Sequence, residues 1–239
     1  MLVRTLIACL LLTAGTARAG DFATLETLGF SPEGNVFAFE QHGIQDGSGF
    51  PYSEIFFVDL DRDDFVAGSP IRIRLDDESA DLADARQAAA SQAAKLLEEH
   101  GPFKPGLVVA ANLPTHLNTT PDLIRFLPRA VEPTPDTPIV LKLETFPLET
   151  QEHCTAFGHE ISGFRLIQEL DGENRVLFED ETIPDSRRCP YDYTLAQVQV
   201  HGTMPGEWRA VVLIGVRSVG FEGPDMRYIA LPVPLPDES

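Results

Sequence analysis

Four aspartates that could bind a metal ion lie close together in one segment of the chain. Asp59, Asp61, Asp63 and Asp64 belong to the sequence DLDRDD. Alternate carboxylates in a turn can direct several oxygen atoms onto a hard cation such as Ca²⁺. An EF-hand loop counted from Asp59 needs glycine sixth and glutamate twelfth, but Asp64 and Pro70 hold those positions. The segment therefore predicts either a calcium site of another kind or an acidic turn exposed to solvent.

A long loop between two β-rich stretches is a candidate binding site. It covers residues 42–52, is rich in glycine and combines polar with aromatic side chains. Loops of this composition suit recognition of a sugar, a peptide or a protein partner. The alternative is that the aromatic rings fold back onto the local core. The candidate binding residues of the loop are His42, Gln45, Asp46, Phe50 and Tyr52.

Two adjacent arginines form a third candidate. Arg187 and Arg188 lie in the sequence PDSRRCPYDY. Guanidinium groups can bind a carboxylate or a phosphate through two parallel hydrogen bonds. The alternative is that these arginines pair with nearby acids of the chain such as Asp180, Glu181 or Asp185. The sequence leaves both interpretations open.

Motifs typical of common catalytic sites are absent from the sequence. It contains no GxSxG, HExxH, CxxC, GxGxxG or Walker sequence. A catalytic triad can assemble from scattered positions, so a hydrolase with a dispersed site, with Ca²⁺ at the acidic turn, is the alternative function. Its candidate residues are His42, Asp46 and the aspartates at 59–64. The sequence does not decide whether the protein is an enzyme, and it predicts no cofactor other than this Ca²⁺.

The N-terminus has the features of a cleaved signal peptide covering residues 1–19. Arg4 precedes the apolar run Thr5–Ala14, and Ala17 and Ala19 place small residues before the cut. The apolar run is too short to cross a hydrocarbon core of about 30 Å. We therefore predict an exported protein, periplasmic or secreted. The alternatives are an uncleaved anchor and a lipid attached to Cys9.

The charge of the chain limits its partners. It has 37 acidic and 18 basic residues, a net charge of −19. Binding to nucleic acid or to anionic lipid depends on Lys and Arg, so both are disfavoured. We expect no nucleic acid and no stable membrane insertion after signal cleavage. The predicted function is a soluble binding or interaction module whose partner is an unidentified envelope component or protein.

Two cysteines remain once the signal peptide is removed. Cys154 and Cys189 are the pair, and an even number of cysteines in an exported chain favours a disulfide. The alternative, a metal site, lacks the close spacing that zinc-binding cysteines usually show.

The first half of the chain combines strands with one helix. Alternating or apolar β-rich stretches predict strands at Asn35–Gln41, Ser53–Leu60 and Ile71–Leu75. Alanines and leucines at helical spacing predict a long amphipathic helix over Ala80–Glu99, with Ser79 as its N-cap. A proline after a threonine predicts a brief second helix at residues 121–126.

The second half reads almost entirely as strand. The predicted strands are Ile139–Thr145, Gly163–Leu170, Arg175–Glu179, Thr194–His201, Glu207–Val219 and Arg227–Val233. The alternating prolines of the tail LPVPLP predict an edge strand or a polyproline segment. We therefore expect a β-dominated α+β fold of antiparallel sheets, sandwich- or barrel-like, with one long amphipathic helix. A proline-rich stretch divides it into an N-terminal lobe, residues 20–130, with the hairpin and the helix, and an all-β C-terminal lobe, residues 131–239, with the disulfide.

Three stretches carry a resemblance to a known family: LGFSPEGNVFAFEQHGIQDGSGFPYSEIFFVDLD, SRRCPYDYTL and GFEGPDMRYIA. They resemble a bacterial family of predicted secreted proteins of unknown function. The resemblance implies export and a common fold, and it implies no activity. The segment Phe30–Asp61 also resembles a single blade of a TolB-type or WD40-type propeller. A full propeller would repeat that unit, and the sequence contains no repeat.

Overall fold

The computed structural model describes residues 20–77, 79–129, 131–149, 154, 158–202 and 207–236. The predicted signal peptide lies outside the described residues. Within these ranges, one α-helix, α1 (Leu82–His100), and a 3₁₀ turn at Asp185–Arg187 accompany thirteen strands. The strands are β1 (Thr24–Phe30), β2 (Val36–Ile44), β3 (Pro51–Asp59), β4 (Asp64–Phe65), β5 (Ile71–Arg74), β6 (Leu107–Ala111), β7 (Leu123–Phe126), β8 (Ile139–Pro147), β9 (Ser162–Leu170), β10 (Glu173–Glu179), β11 (Pro190–His201), β12 (Arg209–Val219) and β13 (Pro224–Val233).

The strands form three antiparallel sheets. The N-terminal sheet has the order β1-β2-β3-β4, and β5 also pairs with β3. The central sheet has the order β13-β12-β11-β6, and the outer sheet has the order β10-β9-β8-β7. The predicted β-dominated α+β fold with one long helix is confirmed. The described sheets stack as a sandwich and do not close into a barrel.

The central sheet is buried on both faces because β12 is apolar at nearly every position. Its even-numbered residues, such as Val212 and Ile214, pack against the outer sheet. Val211 and Leu213 point the opposite way and pack against the N-terminal sheet. A continuous apolar run is typical of a strand covered on both sides.

The N-terminal sheet is also covered on both faces. Phe37, Phe39 and Phe56 contact the central sheet, whereas Ala38 and Phe57 face α1. Fully buried alanines of the helix, at positions 85, 89 and 93, bring its backbone close to this sheet. The layers therefore follow the order helix, N-terminal sheet, central sheet, outer sheet.

Two local predictions were wrong. The helix begins after Asp81, whose carboxylate accepts the Asp84 N–H at 2.9 Å while the Asp84 carboxylate accepts the Asp81 N–H, so Ser79 is not the N-cap. This reciprocal pair satisfies two backbone donors, which a lone serine cannot do. The brief helix predicted at residues 121–126 is strand β7, which pairs with β8. A helix so short has little intrinsic stability, and pairing with a sheet replaces it.

Strands from both predicted lobes share sheets. β6 pairs with β11 in the central sheet, and β7 pairs with β8 in the outer sheet. The boundary after residue 130 stays a prediction.

The predicted disulfide between Cys154 and Cys189 is confirmed, with 5.5 Å between the two Cα atoms. Ile161 packs beside it in a small buried cluster, with Ile183 and Val219 at its margin. The bond ties the segment before β9 to the start of β11.

Candidate functional site

The tip of the β2–β3 hairpin packs against the turn between β12 and β13. The Asp46 carboxylate accepts the Glu222 backbone N–H at 2.8 Å. The Phe221 ring lies so close to Gly47 that a Cβ there would come within 2.9 Å of it. Gly47 also has φ +82°, a conformation that favours glycine. Since its polar tip is occupied by contacts within the chain, the hairpin does not present Asp46 freely to solvent.

Gln45 and Phe50 both contact Arg74 of β5. The Gln45 side-chain carbonyl accepts a hydrogen bond from Arg74 Nη1 at 3.2 Å. The Arg74 guanidinium lies 6.0 Å from the centre of the half-buried Phe50 ring. Arg74 thus holds the base of the loop against the neighbouring strand.

Strand alternation sends Tyr52 and His42 to opposite faces of the N-terminal sheet. Tyr52 is buried and donates its hydroxyl hydrogen to Asp21 Oδ1 at 2.7 Å. Arg227 lies 4.4 Å from the centre of its ring and pairs with the same aspartate. Burial raises the pKa of Tyr52. His42 lies on the face that α1 covers, so the loop residues do not converge on one site.

Arg187 and Arg188 also diverge. Arg187 donates to Asp180 at 2.6 Å, and these side chains are 10% and 2% exposed. Arg187 therefore pairs with Asp180, one of the acids named as its alternative partners. Arg188 donates to Asp225 at 2.6 Å but is about half exposed and faces a groove.

The aspartates of the acidic turn bind groups of their own turn and of β12. Asp59 Oδ1 accepts the backbone N–H groups of Asp61 and Arg62, each at 3.1 Å. Asp61 pairs with Arg209, and Asp64 accepts the N–H of Phe65. In the part of the chain that the structure describes, no three of the four carboxylates bring oxygen atoms within 4.8 Å of one another.

Asp63 is exposed, as are its neighbours Asp61 and Asp64. Partial loss of water around its carboxylate, followed by the charge of Asp64, raises the pKa of Asp63. Asp63 has φ 51°, in the left-handed region, so the backbone turns sharply here. The turn carries Asp63 and Asp64 toward the outer edge of β13.

The acidic turn and Arg188 lie along one groove, which we name the edge groove. A cavity of about 290 Å³ lies between β13, the N-terminal sheet and the loop before β11. Phe56, Phe65 and Tyr228 give it apolar walls, and Arg72 and Arg188 add positive charge. A larger, more open cavity of about 1430 Å³ continues along β13 and contains Trp208. The two cavities share Asp63 and Leu231.

Beyond Met226, the outer backbone edge of β13 pairs with no other strand of the described residues and faces this groove. Met226 and Tyr228 turn their N–H groups away from β12, toward the Asp21 carbonyl and Gln41 Oε1. Backbone N–H groups alternate between the two edges of a strand. Ala230 follows Tyr228 by two positions, so its N–H also points away from β12 and into the groove. Among the described residues, the side-chain and loop hydrogen bonds on this edge stop at Tyr228 and resume at Pro234. The predicted edge strand is thereby confirmed.

A second polar cluster lies on the helix face of the N-terminal sheet. Arg86 of α1 donates Nε and Nη2 to the two oxygens of Glu40, at 2.8 and 2.7 Å. Its Nη2 also reaches Glu26, and Ser53 donates to Glu40 at 2.9 Å. Burial would raise the pKa of Glu40, but the hydrogen bonds from Arg86 and Ser53 hold it below its usual range. His42 lies beside these two carboxylates.

Sequence reasoning missed Glu26, Glu40, Arg86 and the walls of the edge groove. One usable signal was present, because Glu40 interrupts the apolar strand sequence VFAFE, where a charge needs a partner. The residues proposed for the hydrolase do not meet. His42 faces α1, Asp46 contacts Glu222, and the acidic turn borders β13.

The fold and its grooves define a disulfide-bonded β-sandwich protein with an open sheet edge. Residues 38–234 match the model of the family described as "Predicted secreted protein (DUF2259)", and the chain belongs to this family. The match confirms the family resemblance and the predicted export. No curated protein and no solved structure matches the chain.

Two further observations bear on the predictions. No helix within the described ranges has the length and apolar character needed to cross a membrane. The resemblance to a propeller blade is not confirmed, since Phe30–Asp61 contributes β2 and β3 to a sheet stacked face to face on another.

Proposed function

We propose that this exported protein is a binding module of the cell envelope that accepts an extended segment of a partner protein. The segment would add a strand to the outer edge of β13, inside the edge groove. The observation that carries this proposal is the outward Ala230 N–H, which lies on the part of the β13 edge that no described strand pairs with, beside a groove with apolar and charged walls. In such strand addition, backbone hydrogen bonds supply affinity and side-chain pockets supply specificity.

The chain itself already adds an extended segment to this edge. Phe22 and Met226 form a parallel bridge, with hydrogen bonds from Ala23 N–H to the Met226 carbonyl and from Met226 N–H to the Asp21 carbonyl. Beyond this bridge the edge runs from Tyr228 to Val233, about 20 Å at 3.3 Å per residue. The groove therefore continues an existing strand interface.

The charges along the groove favour a peptide with opposite charges at its two ends. Arg72 and Arg188 line the groove near Tyr228, where each also pairs with an acid of the chain, Glu54 and Asp225 respectively. Asp63 lines it near Leu231, where the two cavities meet. Between them Phe65 is 43% exposed, which leaves an apolar wall for one side chain of the ligand. We expect an acidic residue, an apolar residue and a basic residue along the bound segment.

Selection of peptides tests the proposal. Random peptides displayed on phage would be selected on the tag-free chain of residues 20–239, and the enriched sequence would be labelled and measured by fluorescence anisotropy. We expect Ala230→Pro to weaken binding at least tenfold, about 1.4 kcal/mol, because it removes an outward donor and leaves the pairing with β12 intact. Phe65→Ala should also weaken binding, because it removes the apolar wall.

Leu117→Ala is the matched control, since Leu117 is 93% exposed and does not line the groove. Its affinity should equal that of the unmodified protein. Circular dichroism of each variant would establish that it is folded. The proposal fails if no sequence is enriched, or if the enriched peptide binds Ala230→Pro and Phe65→Ala as tightly as the unmodified chain.

A further inference from the structure

Two carboxylates and an imidazole share one face of the β1–β2 pair, beneath the N-terminal part of α1. Glu26 lies directly opposite Glu40 in the strand register, and His42 follows Glu40 by two positions. Like charges placed directly opposite on a sheet repel each other and destabilise the pair. The placement therefore requires a cation between them.

Arg86 supplies only part of that positive charge. One guanidinium serves both carboxylates through Nε and Nη2, and Ser53 completes the contacts of Glu40. With both carboxylates ionised, the cluster retains one net negative charge when His42 is neutral. The bonds from Arg86 and Ser53 orient the carboxylates, as outer groups do in metal sites.

His42 is the feature that points to a ligand. The residue is 7% exposed, and neither ring nitrogen has a hydrogen-bond partner among the residues that the structure describes. Its Nε2 lies 3.6 Å from Glu26 Oε2, too far for a hydrogen bond. A buried polar group without a partner carries a substantial cost, and such groups are rare in native proteins.

The ligand atoms have the spacing and the chemistry of a transition-metal site. One atom each from Glu26, Glu40 and His42 lie within 4.8 Å of one another. Ligand atoms on a tetrahedral Zn²⁺ lie roughly 3.3 Å apart, so small rotations of these side chains close the site. One nitrogen with two carboxylate oxygens suits Zn²⁺, whereas Ca²⁺ takes six to eight oxygens.

We infer that Glu26, Glu40 and His42 form a binding site for a divalent transition-metal ion, with Zn²⁺ as the best-matched ion. Glu26 is half exposed, so the ion would enter from its side and keep a water molecule as fourth ligand. The site is separate from the acidic turn and from the edge groove, because it lies on the opposite face of the N-terminal sheet.

Calorimetric titration with ZnCl₂ tests this inference on residues 20–239, purified without a histidine tag and freed of metal by EDTA and dialysis. We expect one Zn²⁺ per chain and, at a hundredfold excess over Kd, a rise in Tm on the order of 5–10 °C. Co²⁺ in the same site should give the visible absorption of a tetrahedral complex.

Variants decide whether these residues are the ligands. His42→Gln should abolish stoichiometric binding, and Glu26→Gln, at a half-exposed position, should weaken it at least tenfold and provides a readout if His42→Gln fails to fold. The control is His116→Gln, since His116 is exposed on a loop. The inference is overturned if the unmodified chain binds no stoichiometric Zn²⁺, or if Glu26→Gln binds it as tightly as the unmodified chain.

Discussion

Arg187 and Arg188 are adjacent in the chain but meet different surroundings. Arg187 lies over the Phe164 ring at 5.0 Å and pairs with Asp180, which also accepts the Phe164 N–H. Arg188 has φ 59°, in the left-handed region of backbone conformation. Its guanidinium pairs with Asp225 and is about half exposed. The Arg187 pair is therefore buried in the fold, while Arg188 pairs with Asp225 at the surface and keeps about half of its side chain exposed.

Arg187→Met should destabilise the protein by about 3–5 kcal/mol, because it leaves the buried Asp180 carboxylate without its cation. Chemical denaturation at neutral pH measures the change. Arg175→Met, at an exposed position of β10, is the control and should stay within about 0.5 kcal/mol of the unmodified protein. Equal stability of Arg187→Met and the unmodified protein would contradict this account.

At the scale of elements, Arg86 ties α1 to β1 and β2. The helix otherwise touches the N-terminal sheet through alanines and leucines, so this ionic link fixes its N-terminal part over the strands. The pKa of Glu40 lies below its ordinary value of 4.5 in the folded protein. As the pH falls, Glu40 is therefore protonated in the unfolded chain before it is protonated in the folded protein. Acid thus reduces the stability that the ion pair of Arg86 and Glu40 contributes.

Arg86→Met should lower the free energy of unfolding at pH 7 by about 1–3 kcal/mol. The expected loss is smaller than for a fully buried ion pair because Arg86 is more than a third exposed and solvent screens its charge. The difference from the unmodified protein should be fully present above pH 4.5 and disappear as the pH falls through the folded pKa of Glu40. Urea denaturation between pH 7 and pH 3 in EDTA measures it. Arg62→Met, which removes an exposed pair with Asp59, is the control. A difference that stays constant down to pH 3 would exclude Glu40 as the titrating partner.

At the scale of the whole molecule, four layers share the burial of apolar side chains. The central sheet contacts the N-terminal sheet on one face and the outer sheet on the other. Both of these sheets therefore need the central sheet to bury their apolar side chains. The disulfide joins the segment before β9, in the outer sheet, to the start of β11, in the central sheet. It thereby restrains two layers at once.

Reduction of this disulfide should lower the free energy of unfolding by about 3–4 kcal/mol in the chain-entropy model, a fall in Tm of roughly 6–16 °C. Thermal unfolding followed by circular dichroism, with and without reductant, measures the change. A variant with both cysteines replaced by serine should unfold at the lower temperature, and reductant should not shift it further. An unchanged Tm once thiol titration shows two free cysteines would refute the expectation.

The residues of the chain are sufficient to predict features that depend on neighbouring positions. Alternation and helical spacing predicted the hairpin, most strands and α1, because these periods follow from backbone geometry. The turn at Asp171 and Gly172 between β9 and β10 follows from residues that tolerate positive φ, and both adopt it. The disulfide followed from counting the cysteines of an exported chain.

The tertiary structure decided which distant residues meet. Glu26, Glu40 and His42 converge only because β1 and β2 pair in one register, and a shift of one residue would send a strand's side chains to the opposite face. Likewise, the edge groove exists because β13 ends the central sheet between the acidic turn and Arg188. Local patterns specify which face a side chain takes within its own strand. The partner it finds there depends on how the sheets stack, and that is set by the burial of apolar surface across the whole chain.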